Sequence, residues 1–217
     1  MRIYAAEFLS KLAQVCADRE VLLIVDEIAT GFGRTGRMFA FEHAGIVPDL
    51  VCVGKGLSGG YLPISATIVK KGIYDTFRDQ PDDHTFYHGH TFSGNPIAAA
   101  CAVEALTVYR EERIVERAAR LGEILAADLA PVAAAPGVRN VRSLGMIGVV
   151  ELEDDDQGTG AVRAARIGDR LRVEGILLRP LGPVLYVMPP LTIDEATMRA
   201  LVQSMAKAVE EVRADGS

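Results

Sequence analysis

Residues 21–36 read VLLIVDEIATGFGRTG: an unbroken apolar run from Val21 to Val25 stops at Asp26 and gives way to a glycine-rich loop. An apolar run of strand length without polar alternation predicts a strand covered on both faces, as in a parallel sheet between layers of helix. Leu50–Val53 and Ile64–Val69 repeat the texture. Upstream, Phe8, Leu12, Val15 and Cys16 recur at helical spacing and predict a helix over residues 5–19. Helix-like and strand-like stretches alternate, so the expected fold class is α/β with a mostly parallel sheet.

The texture changes further along. Asn95 is a candidate N-cap and Pro96 suits a first helical turn, so residues 95–129 predict helix, broken near Glu111-Glu112. VRNVRSLGMIGVVELE reads as two short strands joined at Leu144-Gly145, and the polar run EDDDQGTG as an exposed loop. A helix over about 160–174, short strands at ILLRP and VLYVMPP, and a final helix capped by Asp194 and reaching about 213 complete the reading. This second part resembles a smaller α+β unit. The expected division is residues 1–115, part of a large domain, and residues 116–217, a C-terminal small domain.

Hydrophobic residues make up 49% of the 217 residues and charged residues 24%, a composition that supports a packed core. The net charge of −6 argues against a nucleic-acid partner, which calls for a basic face. No apolar run reaches the roughly 18 residues of a membrane span, so no membrane partner is expected. The opening MRIYAAEFLS lacks the basic and apolar regions of a secretory signal. Cys16, Cys52 and Cys101 are odd in number and far apart, which excludes a disulfide framework and fits a reducing cytoplasm. Cys52, inside LVCVG, reads as a small apolar residue.

Gly31-x-Gly33-x-x-Gly36 has the written form of a dinucleotide fingerprint. In that fold the first glycine follows the strand directly. Here Asp26-Glu27-Ile28-Ala29-Thr30 intervenes, and no helix pattern starts at Gly36. A glycine-rich loop is the better reading. Asp26, at the carboxyl end of an apolar strand, then becomes informative, because ligands of open parallel sheets gather at such ends. The plain alternative is an acid that caps a turn. Lys55 stands at the end of the next apolar strand, between Gly54 and Gly56. Read plainly, it is a surface lysine in a turn. Chemically, a desolvated lysine amine forms a Schiff base with a carbonyl. An acid and a lysine at neighbouring strand ends suit pyridoxal 5'-phosphate, the acid holding the pyridinium nitrogen protonated and the lysine binding the aldehyde.

His84, His88 and His90 raise a rival reading. His88 and His90 would share one face of a strand, and zinc uses such pairs. No nearby cysteine or downstream histidine completes a tetrahedral set, so no metal is expected.

The stretch LLIVDEIATGFGRTGRMFAFEHAGIVPDLVCVGKGLSGGYLPISA resembles the signature of the class III (ω-amino acid type) aminotransferases. The resemblance implies the fold type I of pyridoxal-phosphate-dependent transferases, a homodimer, and a GxGRTG loop near the active site. By the same resemblance Asp26 is the pyridinium partner, Lys55 the Schiff-base lysine, and Ile28 the apolar residue on one ring face. In HGHTFSGNP, Thr91 matches the residue that binds the cofactor phosphate across the dimer interface, with His90 in the same turn. A hydroxyl and backbone N–H groups make an anion cradle without added charge.

Within that family, SLGMIGVVELE and GILLRPLGPVLYVMPPLTI resemble the adenosylmethionine-8-amino-7-oxononanoate aminotransferases of biotin biosynthesis. This implies that Arg179 pairs with the carboxylate of the amino acceptor, a role that suits a forked guanidinium, against the alternative of a salt bridge within the small domain. Arg34 matches a loop arginine near the substrate channel, Gly89 a backbone contact to substrate from the partner subunit, and Tyr186 an aromatic near the substrate, or else a core strand residue. The amino donor implied is S-adenosylmethionine or lysine. Other class III ω-aminotransferase substrates stand as the alternative.

The resemblance spans the whole chain but only about the C-terminal half of the family's usual length. MRIYAAEFLSKL matches an internal family segment, and the Gly-Ser phosphate turn and the aromatic on the other ring face have no counterpart. The expectation is therefore a fragment, a split enzyme with a separate N-terminal half chain, or a non-enzymatic remnant; outside catalysis, the half-sheet is expected to serve as a binding module for a separate N-terminal polypeptide.

Overall fold

The computed structural model describes residues 1–78 and 84–212. The chain divides into two compact units. The first comprises Tyr4–Phe32 and Arg37–Ile114; the second comprises Met1–Ile3, Gly33–Gly36 and the described residues from Val115 onward. Two short segments upstream of residue 115 thus belong to the second unit, so the units are not two consecutive stretches of chain.

In the first unit, helix α1 (Ala6–Asp18) precedes strand β1 (Ile24–Asp26). Strand β2 (Leu50–Val53) pairs with β1 in parallel, Asp26 opposite Cys52, and strand β3 (Ala66–Val69) pairs with β2 antiparallel. Helices α2 (Lys71–Phe77) and α3 (Pro96–Glu111) follow. Asn95 caps α3, its side chain accepting from the N–H groups of Ile97 and Ala98, with Pro96 in the first turn, where its missing N–H costs nothing. The helix stops at Glu112, and Arg113 takes a left-handed φ of 51° before the next helix.

Two expectations need correction here. The apolar run Val21–Val25 is not a strand covered on both faces: β1 begins at Ile24, and Val21, Leu22 and Ile24 are each more than half exposed. Ahead of the strand, Leu23 joins Asp49 and Leu50, its N–H donating to the Asp49 carboxylate and its carbonyl accepting from both backbone N–H groups. The described sheet is also mixed rather than mostly parallel, since β3, reached from β2 through residues 54–65, runs antiparallel beside it.

In the second unit, α4 (Ile114–Leu129) leads to the antiparallel sheet β4 (Val138–Leu144), β5 (Ile147–Leu152) and β6 (Val184–Val187), with α5 (Thr159–Val173) between β5 and β6 and α6 (Glu195–Glu211) last. Alternation along the strands sorts the side chains by face. Val150, Leu152, Leu185 and Val187 join the helices in the main core, while Ile147, Val149, Val184 and Tyr186 pack on the opposite face with Met1 and Met188. The helices close the core with residues at helical spacing: Leu121, Leu125 and Leu129; Ala164, Ile167 and Leu171; Met198, Val202, Met205 and Val209. Asp194 caps α6 by accepting from the Thr197 N–H, and the expected end of this helix near 213 lies outside the described residues. ILLRP forms no strand: the Ile176 N–H bonds back to Leu171 to close α5, and Pro180 removes a donor from the segment.

Gly36 answers the fingerprint question. It takes φ 86°, and a Cβ there would lie 3.4 Å from the Ala119 backbone. Met146 N–H donates to the Arg34 carbonyl beside it (2.9 Å). The glycine serves a close approach of backbone within the second unit, and the loop leads to a short 3₁₀ turn at Ala40–Ala44 rather than to a dinucleotide-binding helix.

Candidate active site

The parallel pairing of β1 and β2 brings the ends of both strands to one edge of the sheet. Asp26 closes β1 opposite Cys52, and Lys55 follows Cys52 by three residues, just past the end of β2. Asp26 is exposed, and one of its carboxylate oxygens accepts from the Ile28 N–H (2.9 Å), which fixes the carboxylate at the head of the following loop. Lys55 opens a short 3₁₀ turn, Lys55–Ser58, with φ 39°. Its side chain is exposed and meets no acid among the described residues.

A cleft of about 980 Å³ opens beside this edge. Its walls include Ile28, Gly54 and Lys55 from the two strand ends, Ile64 and Ser65 before β3, His88, His90 and Phe92 from the irregular segment before α3, and Ser93, Gly94 and Asn95 at its entry. Of the residues singled out in the sequence, the structure thus brings Ile28, Lys55, His88 and His90 to one cavity, which Asp26 does not line. Thr91 and Gly89 lie exposed in the same segment as His90 and do not line it. His90 organises the turn locally: its Nδ1 accepts from the Phe92 N–H (3.3 Å) and its carbonyl from the Ser93 N–H (2.9 Å). Among the described residues no three His, Cys, Asp or Glu side chains are gathered to hold a metal.

The remaining candidates belong to the second unit. Arg34 donates from Nη1 to the carbonyls of Pro189 (2.6 Å) and Met146 (3.4 Å), so its guanidinium ties its loop to backbone. Arg179 is exposed in the irregular segment after α5 and forms no salt bridge among the described residues. Tyr186 is half-buried against the Ile147, Val149 and Val184 cluster, opposite Val149 in the ladder.

One residue that the motif reading passes over is Glu27. It is only 1% exposed; its carboxylate accepts from the Phe41 N–H (2.9 Å) and the Thr30 hydroxyl (2.5 Å). The signal lies in the pleat. Successive residues at a strand end face opposite ways, so an acid directly after the exposed Asp26 points inward.

The donor set fits pyridoxal phosphate: a strand-end carboxylate for a pyridinium nitrogen, an amine without an acid partner for an aldehyde, and an isoleucine at the cavity wall for a ring face.

An α/β unit with a candidate site at its strand ends, followed in the chain by an antiparallel sheet backed by helices, fits the architecture of the pyridoxal-phosphate-dependent transferases of fold type I, and solved aminotransferases superpose on it. The adenosylmethionine-8-amino-7-oxononanoate aminotransferase from Methanocaldococcus jannaschii matches with a TM-score of 0.87 at 32% identity, over 94% of this chain and 48% of that one. The ornithine aminotransferase from Toxoplasma gondii, whose active site is described as partially occupied by the cofactor, matches with a TM-score of 0.83 at 36% identity, over 94% and 46%. In sequence, the adenosylmethionine-8-amino-7-oxononanoate aminotransferase of Nitratidesulfovibrio vulgaris is 40% identical over 100% of this chain and 41% of its own length. The aminotransferase class-III family matches residues 1–209, and the chain belongs to that family. Its members depend on pyridoxal phosphate. The chain spans about half the length of the relatives it matches.

Proposed function

We propose that this chain carries the lysine-bearing part of a pyridoxal-phosphate aminotransferase that delivers an amino group to 8-amino-7-oxononanoate, giving 7,8-diaminononanoate in biotin biosynthesis. The observation that carries the reading is the placement of Asp26 at the end of β1 and of Lys55 just past the end of its parallel neighbour β2, where Lys55 and Ile28 wall one cleft. When bound, pyridoxal phosphate supplies an electron sink for the amino-group carbon. Lys55 would hold the aldehyde end covalently and afterwards carry a proton on its Nζ. Asp26 would keep the ring nitrogen protonated, its orientation set by the Ile28 N–H. Ile28 would exclude water from one ring face. Thr91, with His90 in the same turn, would bind the phosphate of a second copy in a homodimer.

The acceptor assignment is supported by the relatives' identity and by Arg179, which is exposed and takes no salt-bridge partner among the described residues. A forked guanidinium suits its carboxylate. Tyr186 and Gly89 are proposed substrate contacts, and Arg34 fixes its loop. S-adenosylmethionine is the proposed donor, lysine its rival. A complete site also needs the polypeptide that supplies the remaining family length, on this chain or another. The 36% identity to ornithine aminotransferase supports a second reading, an ω-amino acid or diamine substrate.

The test combines trapping with turnover. With the remaining family length supplied and pyridoxal phosphate added, borohydride reduction and peptide mapping should place the adduct on Lys55. Lys55→Ala should abolish amino transfer because the covalent partner is gone. An adduct on another lysine overturns the site. Turnover of ornithine but not of 8-amino-7-oxononanoate selects the second reading.

A further inference from the structure

The wall that carries Lys55 is backed by a residue that does not line the cleft. Phe32 is 3% exposed and holds φ at 58°, a left-handed conformation that bulky residues rarely adopt and that persists only where surroundings impose it. Its surroundings do so. The Phe32 N–H donates to the Met38 carbonyl (2.6 Å), and the ring packs against Phe39 edge-on and against Tyr109, both with centroids 5.8 Å away. Upstream, the buried Glu27 closes the loop that delivers Phe32: its carboxylate holds Thr30 and Phe41, and its carbonyl accepts from the Gly31 N–H (2.9 Å).

The lysine turn rests on this residue. A Cβ at Gly56 would fall 2.7 Å from Phe32 Cβ and 2.9 Å from its Cγ, closer than packed carbon atoms tolerate. On the other side of Lys55, a Cβ at Gly54 would lie 3.5 Å from Ile28 Cγ2. Lys55 is therefore flanked by two glycines set against the loop that follows Asp26, and it too is left-handed, with φ 39°.

We propose that Phe32 is a positioning residue for Lys55: by filling the side-chain space of residue 56 it sets the left-handed start of the 55–58 turn through which Lys55 lines the cleft. The inference rests on the reading of Lys55 as the cofactor-binding lysine. It adds a specific dependence of Lys55 on a residue that does not line the cleft.

The test is a double-mutant cycle of Phe32→Gly and Gly56→Ala, which isolates a pairwise dependence from general damage. Glycine at 32 accepts the left-handed backbone and removes the Cβ and ring that oppose a side chain at 56. Two readouts are taken. Amide exchange in the cofactor-free chain is followed at Leu57 and Gly59, whose N–H groups donate to Gly54 and Gly56. The pH midpoint of the cofactor absorbance band is followed in the loaded protein. Phe32→Gly should speed exchange at both amides by about tenfold or more, as expected for local opening, by a larger factor than at Ala99, whose N–H donates to the Asn95 carbonyl in α3, and should shift the midpoint. Gly56→Ala alone should lose the band, and Phe32→Gly in that background should restore part of it. Unchanged exchange at Leu57 and Gly59, or strictly additive losses in the cycle, would overturn the proposal. If the parent protein shows no band, the cofactor reading fails, and exchange at the two amides still decides whether Phe32 holds the turn.

Discussion

Helices α4, α5 and α6 each turn a stripe of fully buried side chains into the core of the second unit, whereas α1 in the first unit contains no buried residue at all. The difference is not one of composition. Tyr4, Phe8, Leu12 and Val15 on and beside α1, and Val21, Leu22 and Ile24 at β1, are as apolar as the second unit's core residues, yet they lie largely exposed. The fully buried centre of the first unit is small: Phe32, Val51 and Val53, with Phe39, Phe41 and Tyr109 around them. Exposed apolar groups in such density mark a surface that another layer covers. The relatives, about twice as long, have chain to cover it. One unit thus completes its own core, and the other carries the candidate site on a sheet beside apolar side chains that these residues leave exposed.

That contrast predicts where substitutions should hurt. Leu125→Ala and Leu171→Ala, at positions with 0% exposure, should each cost about 2–5 kcal/mol in urea unfolding of the second unit. Phe8→Ala, at a residue 55% exposed, should change the stability of this chain by less than about 0.5 kcal/mol. Equal losses at Phe8 and Leu125 would break the comparison, because α1 would then be packed in solution.

A smaller effect sharpens the picture of the second unit. Arg163 is buried in α5 and donates from Nε to the Val212 carbonyl (2.7 Å) and from Nη2 to that of Val209 (2.6 Å), satisfying groups at the end of α6. Burial lowers its pKa, opposed by the charge of Glu153. Arg163→Ala should cost about 1.5–3 kcal/mol, the range for hydrogen bonds to a charged donor, and should appear as faster amide exchange at the end of α6. Arg163→Met, which keeps bulk without the donors, should recover little. Full recovery would assign the loss to packing alone.

How much of this was legible in the sequence follows the same division. In the second unit, local chemistry and local packing agree. The strand pair joined at Leu144-Gly145, the α5 stripe and the Asp194 cap can all be read from spacing, because their partners are within the chain. In the first unit the apolar run at Val21–Val25 encodes a covering layer that these residues do not contain, so the strand is shorter and more exposed than the run suggests. Asp26 and Lys55 were visible because glycines and strand ends announce them. Phe32 and Glu27 were not, since their roles depend on backbone angles and on a contact with Gly56 that no spacing rule contains. The apolar residues of ILLRP suit a strand, but Pro180 and the closing bond from Ile176 to Leu171 remove the segment from the ladder.

The smallest expected effect compares the units by their acid response. In the first unit the Asp49 carboxyl sits below the usual carboxylate range, chiefly because the Leu23 N–H donates to it (2.8 Å), with Lys70 adding a salt bridge (2.8 Å). In the second unit Asp194 is lowered first by the Thr197 hydroxyl (2.6 Å) and then by the Thr197 N–H (2.9 Å). Both folded values lie below the unfolded value, about 3.9 for an aspartate, so the unfolded chain binds these protons first. Each contribution is therefore fully present above about pH 4 and is lost as pH falls through the depressed folded value. Asp194 is exposed and Asp49 only half-buried, so the effects are modest and screened by salt. Asp49→Asn and Asp194→Asn should each flatten the decline of stability between about pH 4 and pH 2. The two variants should differ in what they loosen. Asp49→Asn should release the Leu23 join at the entry to β1, read as faster exchange at the Leu23 amide, while Asp194→Asn should fray the first turn of α6 and leave β1 unchanged. If Asp194→Asn also speeds exchange at Leu23, the two units unfold as one, and the contrast between a self-sufficient core and an uncovered one does not extend to their stability.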